Sequence, residues 1–217
     1  VRDASRIVSN FRAENSLDDE LLKYGVVGIS GIDTRALTRH LRTTGSMRGG
    51  VFSGDDSMKP LEDLVAEVNA AVKMKGLSLS DVVSTTDGYV VSAEGPKIGT
   101  IAIVDLGIKK STIEHMSSRG LEVQVYPAKV SARTLLDAKP DAVFYSNGPG
   151  DPEAATGQVE VLREILQAKI PFFGICFGNQ LLGRALGFET YKLPFGHRGI
   201  NQPVLDRKTG KVEVTAH

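Results

Sequence analysis

Cys176 is the single cysteine of this chain, and it stands inside Phe173-Gly174-Ile175-Cys176-Phe177-Gly178-Asn179-Gln180. The apolar run 170–175 stops at it and a helix-like pattern over 180–187 follows, so the order reads strand, tight turn, helix. A side chain at such a turn is pushed out of the sheet, and the small neighbours Gly174 and Gly178 let the backbone bend and other groups approach. At a helix N-terminus, free N–H groups and the positive end of the dipole favour a thiolate, the reactive form of cysteine. The chemistry open to such a group is nucleophilic attack with a covalent intermediate. A lone cysteine more usually packs as a small buried hydrophobe. Gly-x-Cys-x-Gly between a strand and a helix is what points to catalysis, because it is the nucleophile-elbow pattern with sulfur in place of oxygen.

A second candidate is the turn Ser146-Asn147-Gly148-Pro149-Gly150-Asp151-Pro152. Its glycines can approach a ligand closely, and its backbone N–H groups are suited to a developing oxyanion beside a thiolate. Taken alone, the same composition describes an ordinary Gly/Pro loop. With the cysteine elbow on the following strand, it forms half of an acyl-transfer site.

The elements that must position these turns are regular from residue 98 onward. Strands are predicted over 98–106, 121–126, 141–145 and 170–175, and helices over 110–119, 132–138 and 153–168. Alternating strands and helices with short connections imply a parallel sheet covered on both faces, whose ligands bind at the carboxyl ends of the strands. Residues 1–95 have a different texture. Ser16 with Asp19 three positions on predicts a capped short helix, 26–29 and 49–52 read as strands, 33–42 as a basic helix stopped near Gly45, and 60–72 as a helix with Pro60 in its first turn. Residues 73–84 read as loop. The small, polar stretch 92–97 marks the expected boundary between domains 1–95 and 96–217.

Composition narrows the field. With 217 residues, 41% hydrophobic and 24% charged, the chain can bury a core of ordinary globular type. Basic and acidic residues number 26 each, so no net field draws it to nucleic acid or an anionic membrane. One cysteine makes no internal disulfide, there is no set of residues at metal-ligand spacing, and no apolar run reaches the length of a membrane span; a reducing cytoplasm fits best. The chain starts at Val1 and stops at His217 directly after a strand-like run over 211–215, so both termini read as cut.

The two turns together resemble those of the class I, triad-type glutamine amidotransferases. Gly31-Ile32-Asp33-Thr34-Arg35-Ala36-Leu37-Thr38 and Phe195-Gly196-His197-Arg198-Gly199-Ile200-Asn201-Gln202-Pro203-Val204 are similar to segments of the small, glutaminase subunits of carbamoyl-phosphate synthetases. That resemblance covers essentially the whole chain. It implies an α/β fold in which a small, incomplete N-terminal domain precedes a mainly parallel, doubly wound, flavodoxin-like amidotransferase domain. Carried over by residue, Cys176 would attack the side-chain amide of L-glutamine and form a γ-glutamyl thioester. The N–H groups of Gly148 and Phe177 would line the oxyanion hole, while Gly150 and Gln180 would hold the glutamine. Ammonia would then pass through a tunnel to a large partner subunit, which uses ATP and Mg to make carbamoyl phosphate for arginine and pyrimidine synthesis. No cofactor is expected in this chain, which has no Walker-type phosphate loop.

Two departures accompany the resemblance. Asn179 occupies a position where the family usually has His, which implies altered packing rather than lost activity. The family's catalytic base lies in a His-Pro-Glu segment, and these 217 residues contain none. The resemblance also implies that a glutamine-contacting serine and part of the first domain's sheet lie upstream of Val1. His40, His115, His197 and His217 are each read as structural or solvated, so the segment alone is expected to be nearly inactive. Other readings remain open: a different class I amidotransferase, a non-catalytic docking subunit, and a stand-alone cysteine hydrolase with a similar elbow.

Overall fold

Ser16 caps helix α1 (Leu17–Lys23) as its sequence predicts, its hydroxyl accepting from the Asp19 amide while the Asp19 carboxylate accepts from the Ser16 amide. The computed structural model describes residues 1–8, 10–196 and 199–216. Its residues fall into two compact units, Val1–Val72 with the described part of Lys192–His217, and Lys73–Tyr191.

In the first unit, Asp33 accepts from the Ala36 amide and starts α2 (Thr34–Thr44), which stops at Gly45. Helix α3 (Leu61–Ala70) begins after Pro60, which is its N-cap rather than part of its first turn. Residues 26–29 and 49–52 form no strand, contrary to their composition. An extended segment becomes a strand only when a neighbour offers a ladder of partners, and among the described residues none pairs with these.

The second unit is built on a five-stranded sheet. Residues 73–84, expected as loop, contain the short helix α4 (Ser80–Val83). Strand β1 (Tyr89–Val91) follows, and then β2 (Gly99–Asp105), α5 (Lys110–Ser117), β3 (Leu121–Pro127), α6 (Ala132–Asp137) and β4 (Ala142–Tyr145). A 3₁₀ turn, Pro152–Ala154, splits the helix expected over 153–168 and leaves α7 as Thr156–Gln167. Strand β5 (Phe172–Gly174) and α8 (Phe177–Ala185) complete the unit. The strand order is β1-β3-β2-β4-β5, parallel throughout except for β1, which runs antiparallel to β3.

The central strand β2 shows why the apolar run is continuous. Ala102 and Val104 point to one face with Leu135, Leu162, Ile165, Phe177 and Leu181, while Ile101 and Ile103 point to the other with Ile113, Val123 and Phe144. Helices α6, α7 and α8 thus cover one face and α5 the other, as the resemblance to a doubly wound fold implied.

The expected boundary at 95/96 is not where the compact units divide. Residues 92–97 connect β1 to β2 within one sheet and are tied to α5, Ser117 Oγ donating to Ser92 O and the Glu94 amide to Ser117 O. Turn-forming composition suits a connection inside a domain as well as one between domains. At the other end, residues expected in the amidotransferase domain group with the first unit. The Ser46 amide donates to Pro194 O at 2.9 Å and the Arg42 guanidinium lies 5.8 Å from the Phe195 ring centre. The antiparallel hairpin of β6 (Gln202–Asp206) and β7 (Lys211–Thr215) belongs there too.

Candidate active site

The strand register brings three turns to one edge of the sheet. Val104 pairs with Tyr145 and Tyr145 with Gly174, so β2, β4 and β5 end side by side and release residues 105–108, 146–152 and 175–176 at their carboxyl ends.

Cys176 sits between β5 and α8 as the N-cap of that helix, with φ 53° and ψ −108°. Lys139 and Lys169 also have positive φ, at 49° and 59°, but they close α6 and α7 at positions where left-handed residues are common. Cys176 does not end a helix, and its ψ lies well outside the left-handed helical basin. A non-glycine residue held there costs about 1–3 kcal/mol and persists only where surrounding contacts impose it. Those contacts are explicit. The Ile175 amide donates to Tyr145 O at 3.1 Å, the Gly178 amide to Ser146 O at 3.2 Å, and the Gln180 amide to Cys176 O at 3.0 Å. The cysteine side chain is exposed.

Gly178 is required by close approach: a Cβ there would lie 2.2 Å from Tyr145 O. The same holds for Gly148, where a Cβ would lie 2.0 Å from Leu106 O. These contacts press α8 against β4 and the 146–152 turn against the end of β2. Among the described residues, neither the Gly148 amide nor the Phe177 amide has a hydrogen-bond acceptor, so both remain available as donors.

Phe177 is buried to 2% exposure, and its ring joins Leu181 in the core, which fixes the first turn of α8. Gln180 is exposed, four residues after Cys176 and therefore on the same side of the helix. Asn179 is exposed as well. Gly150 has φ +114°, a conformation that suits glycine.

The turn is held in place by its own Ser146 and Asn147 and by Asp105, which sequence reasoning did not single out. The Ser146 hydroxyl is buried, accepts from the Leu106 amide at 2.9 Å and donates to Asn147 O at 2.8 Å. Asn147 Nδ2 donates to Gly107 O at 2.9 Å. Asp105 is buried at the end of β2, its Oδ1 accepting from the amides of Gly107 and Ile108 at 2.9 Å each. A carboxylate inside the otherwise apolar run at the end of β2 was the available signal for Asp105.

Of the histidines, His115 is exposed on α5, across the sheet from α8, and His40 belongs to α2 in the other unit. His197 and His217 lie outside the described residues, as does Arg198 of the Gly196-to-Gly199 motif. No group of three or more His, Cys, Asp or Glu suited to a metal occurs among the described residues, and no helix there is long and apolar enough to cross a membrane.

The family described as "Glutamine amidotransferase class-I" matches residues 102–217, more than half of the chain and both candidate turns. The chain belongs to that family. The first 51 residues of the chain match a second description, "Carbamoyl-phosphate synthase small chain, CPSase domain". It is 61% identical over 218 residues to the "Carbamoyl phosphate synthase small chain" of Streptomyces avermitilis, a match covering 100% of this chain and 57% of that one. The protein of the same description from Bifidobacterium longum is 56% identical over 229 residues, covering 100% and 56%. The chain thus spans rather more than half the length of these relatives. A solved structure from Thermoplasma acidophilum, described as part of a "putative gmp synthase", matches 41% of this chain and 45% of its own at 20% identity and TM-score 0.35, too distant to bear on fold or function.

Proposed function

We propose that this amidotransferase is the glutaminase part of a carbamoyl-phosphate synthase, with Cys176 as nucleophile. The observation that carries the reading is the strained, exposed Cys176 at the carboxyl edge of the sheet, hydrogen-bonded through its neighbours to the strand and turn at 145–146. The match of the first 51 residues supports the carbamoyl-phosphate assignment over other amidotransferases.

In the proposed reaction, the Cys176 sulfur forms a bond to the side-chain amide carbon of glutamine. The C=O electron pair moves onto oxygen, where the amides of Gly148 and Phe177 stabilise the oxyanion. Donors of this kind are worth about 10²–10³ in kcat. Collapse breaks the C–N bond, and nitrogen leaves as ammonia after gaining a proton. Water then cleaves the thioester, releasing glutamate and restoring the thiol. Gly150 and Gln180 hold the glutamine. Ammonia goes to a large ATP- and Mg-using partner subunit, which makes carbamoyl phosphate.

Moving the thiol proton to the leaving nitrogen calls for an acid–base group within hydrogen-bond reach of both, a place that His115, on the opposite face of the sheet from α8, does not occupy. The test is glutamate release by the protein combined with its large subunit, alongside labelling by a glutamine-analogue electrophile. Glutamine-dependent turnover and label on Cys176, both lost in Cys176→Ala, are expected. An unlabelled Cys176, or turnover surviving that substitution, overturns the reading in favour of a docking subunit.

A further inference from the structure

We propose that residues 75–79 form a strap that positions the 146–152 turn for catalysis, with Asp151 as the residue coupling the two. This rests on the reading of Gly148 as an oxyanion donor and extends it to groups outside the acyl-transfer site.

Two contacts join strap and turn, and a third closes the turn on itself. The Asp151 amide donates to Leu77 O at 3.0 Å, its Oδ2 accepts from the Gly76 amide at 2.8 Å, and its Oδ1 accepts from the Glu153 amide at 2.9 Å. The strap also closes over Gly150, where a Cβ would lie 2.9 Å from Leu77 O and 3.0 Å from the Leu79 nitrogen.

The strap is anchored independently of the turn. Asp81 Oδ1 accepts from Gln158 Nε2 of α7 at 3.0 Å, Ser84 Oγ accepts from the Ala128 amide at 2.8 Å, and the Thr85 amide donates to Asp105 Oδ2 at 2.8 Å. Asp105 serves both sides. One oxygen holds Thr85, in the segment that continues from the strap, and the other holds the Gly107 turn against which Asn147 and Gly148 rest. The segment carrying the candidate donor is thus clasped between two walls that share one buried carboxylate. An oxyanion donor must be set in place before charge develops, so loosening one wall should affect the transition state more than glutamine binding.

The test uses the complete glutaminase subunit with its large partner, comparing wild type, Asp151→Ala and Asp151→Asn. Asp151→Ala removes both side-chain acceptors, and Asp151→Asn keeps one. For Asp151→Ala, kcat for glutamine hydrolysis should fall roughly ten- to a hundred-fold while KM moves little, since displacement of about 1 Å at a catalytic group costs up to ~10². Asp151→Asn should recover part of that loss. Alkylation of Cys176 by iodoacetamide displaces iodide at a tetrahedral carbon and forms no oxyanion, so its rate should stay near the wild-type value. If Asp151→Ala does not fold, Asp81→Ala loosens the strap from its far end, and the same split between hydrolysis and alkylation is expected. Unchanged kcat, or hydrolysis and alkylation falling together, overturns the strap. Hydrolysis surviving in Cys176→Ala overturns instead the reading on which it rests.

Discussion

The amide of Gly178 donates to the carbonyl of Ser146 at 3.2 Å, joining the first turn of α8 to the segment that leaves β4. Cysteine elbow and glycine turn are therefore one hydrogen-bonded structure, and a change in either is felt at Cys176.

Gly178→Ala is the most direct probe of that junction. The added methyl would meet Tyr145 O at 2.2 Å, and both parties are backbone, so α8 must move away from β4. A destabilisation of about 1–3 kcal/mol is expected, as for overpacked cores, read as a lower denaturant midpoint. Cys176 labelling by the glutamine analogue should slow in the same variant.

Cys176→Gly should separate stability from activity. Glycine tolerates φ 53°, ψ −108° without strain, so about 1–3 kcal/mol is regained against about 0.5–1 kcal/mol of added unfolded-state entropy. The unfolding midpoint is expected to rise or hold while glutamine hydrolysis disappears. A clear fall in midpoint would show that the cysteine backbone is not strained.

Ser146→Ala leaves the Leu106 amide without its acceptor at a buried position. A buried donor so orphaned costs about 1–3 kcal/mol. Because the same hydroxyl bonds Asn147 O, kcat should fall more than KM rises. Steady-state kinetics and thermal unfolding on one preparation check both statements.

The Asp151 carboxyl is held below its ordinary value of 3.8, chiefly by the Gly76 amide; burial opposes as the next largest effect, and the Glu153 amide adds to the lowering. A carboxyl depressed on folding adds stability that is present above its unfolded pKa and lost as pH falls through the folded one. The midpoint difference between wild type and Asp151→Asn should therefore be full at neutral pH and shrink below about pH 4. Thermal unfolding from pH 7 to pH 3 measures it; a difference independent of pH would remove the carboxylate from the strap.

Much of the site was legible because its signals are local. Gly-x-Cys-x-Gly marks an elbow within five residues, the apolar run 101–104 marks a strand buried on both faces, and Ser16 and Asp33 cap the helices that follow them. The extended segments 26–29 and 49–52 were misread because a strand depends on a partner that composition does not supply. Residues 73–91 group with the sheet that follows them through contacts that no local pattern announces. Their ties run from Gly76 to Asp151 and from Asp81 to Gln158, across 75 and 77 positions of chain.

From sequence alone follow the cysteine elbow, the glycine turn, the alternation of strands and helices, and the family whose motifs these are. Only the tertiary structure decided that β2, β4 and β5 end in register, that Cys176 is held in a conformation its own chemistry disfavours, and that Asp105 and residues 75–79 clasp the turn. Periodicity and caps are set by interactions within a few residues, whereas strand register and backbone strain are imposed by contacts that exist only once distant segments have packed.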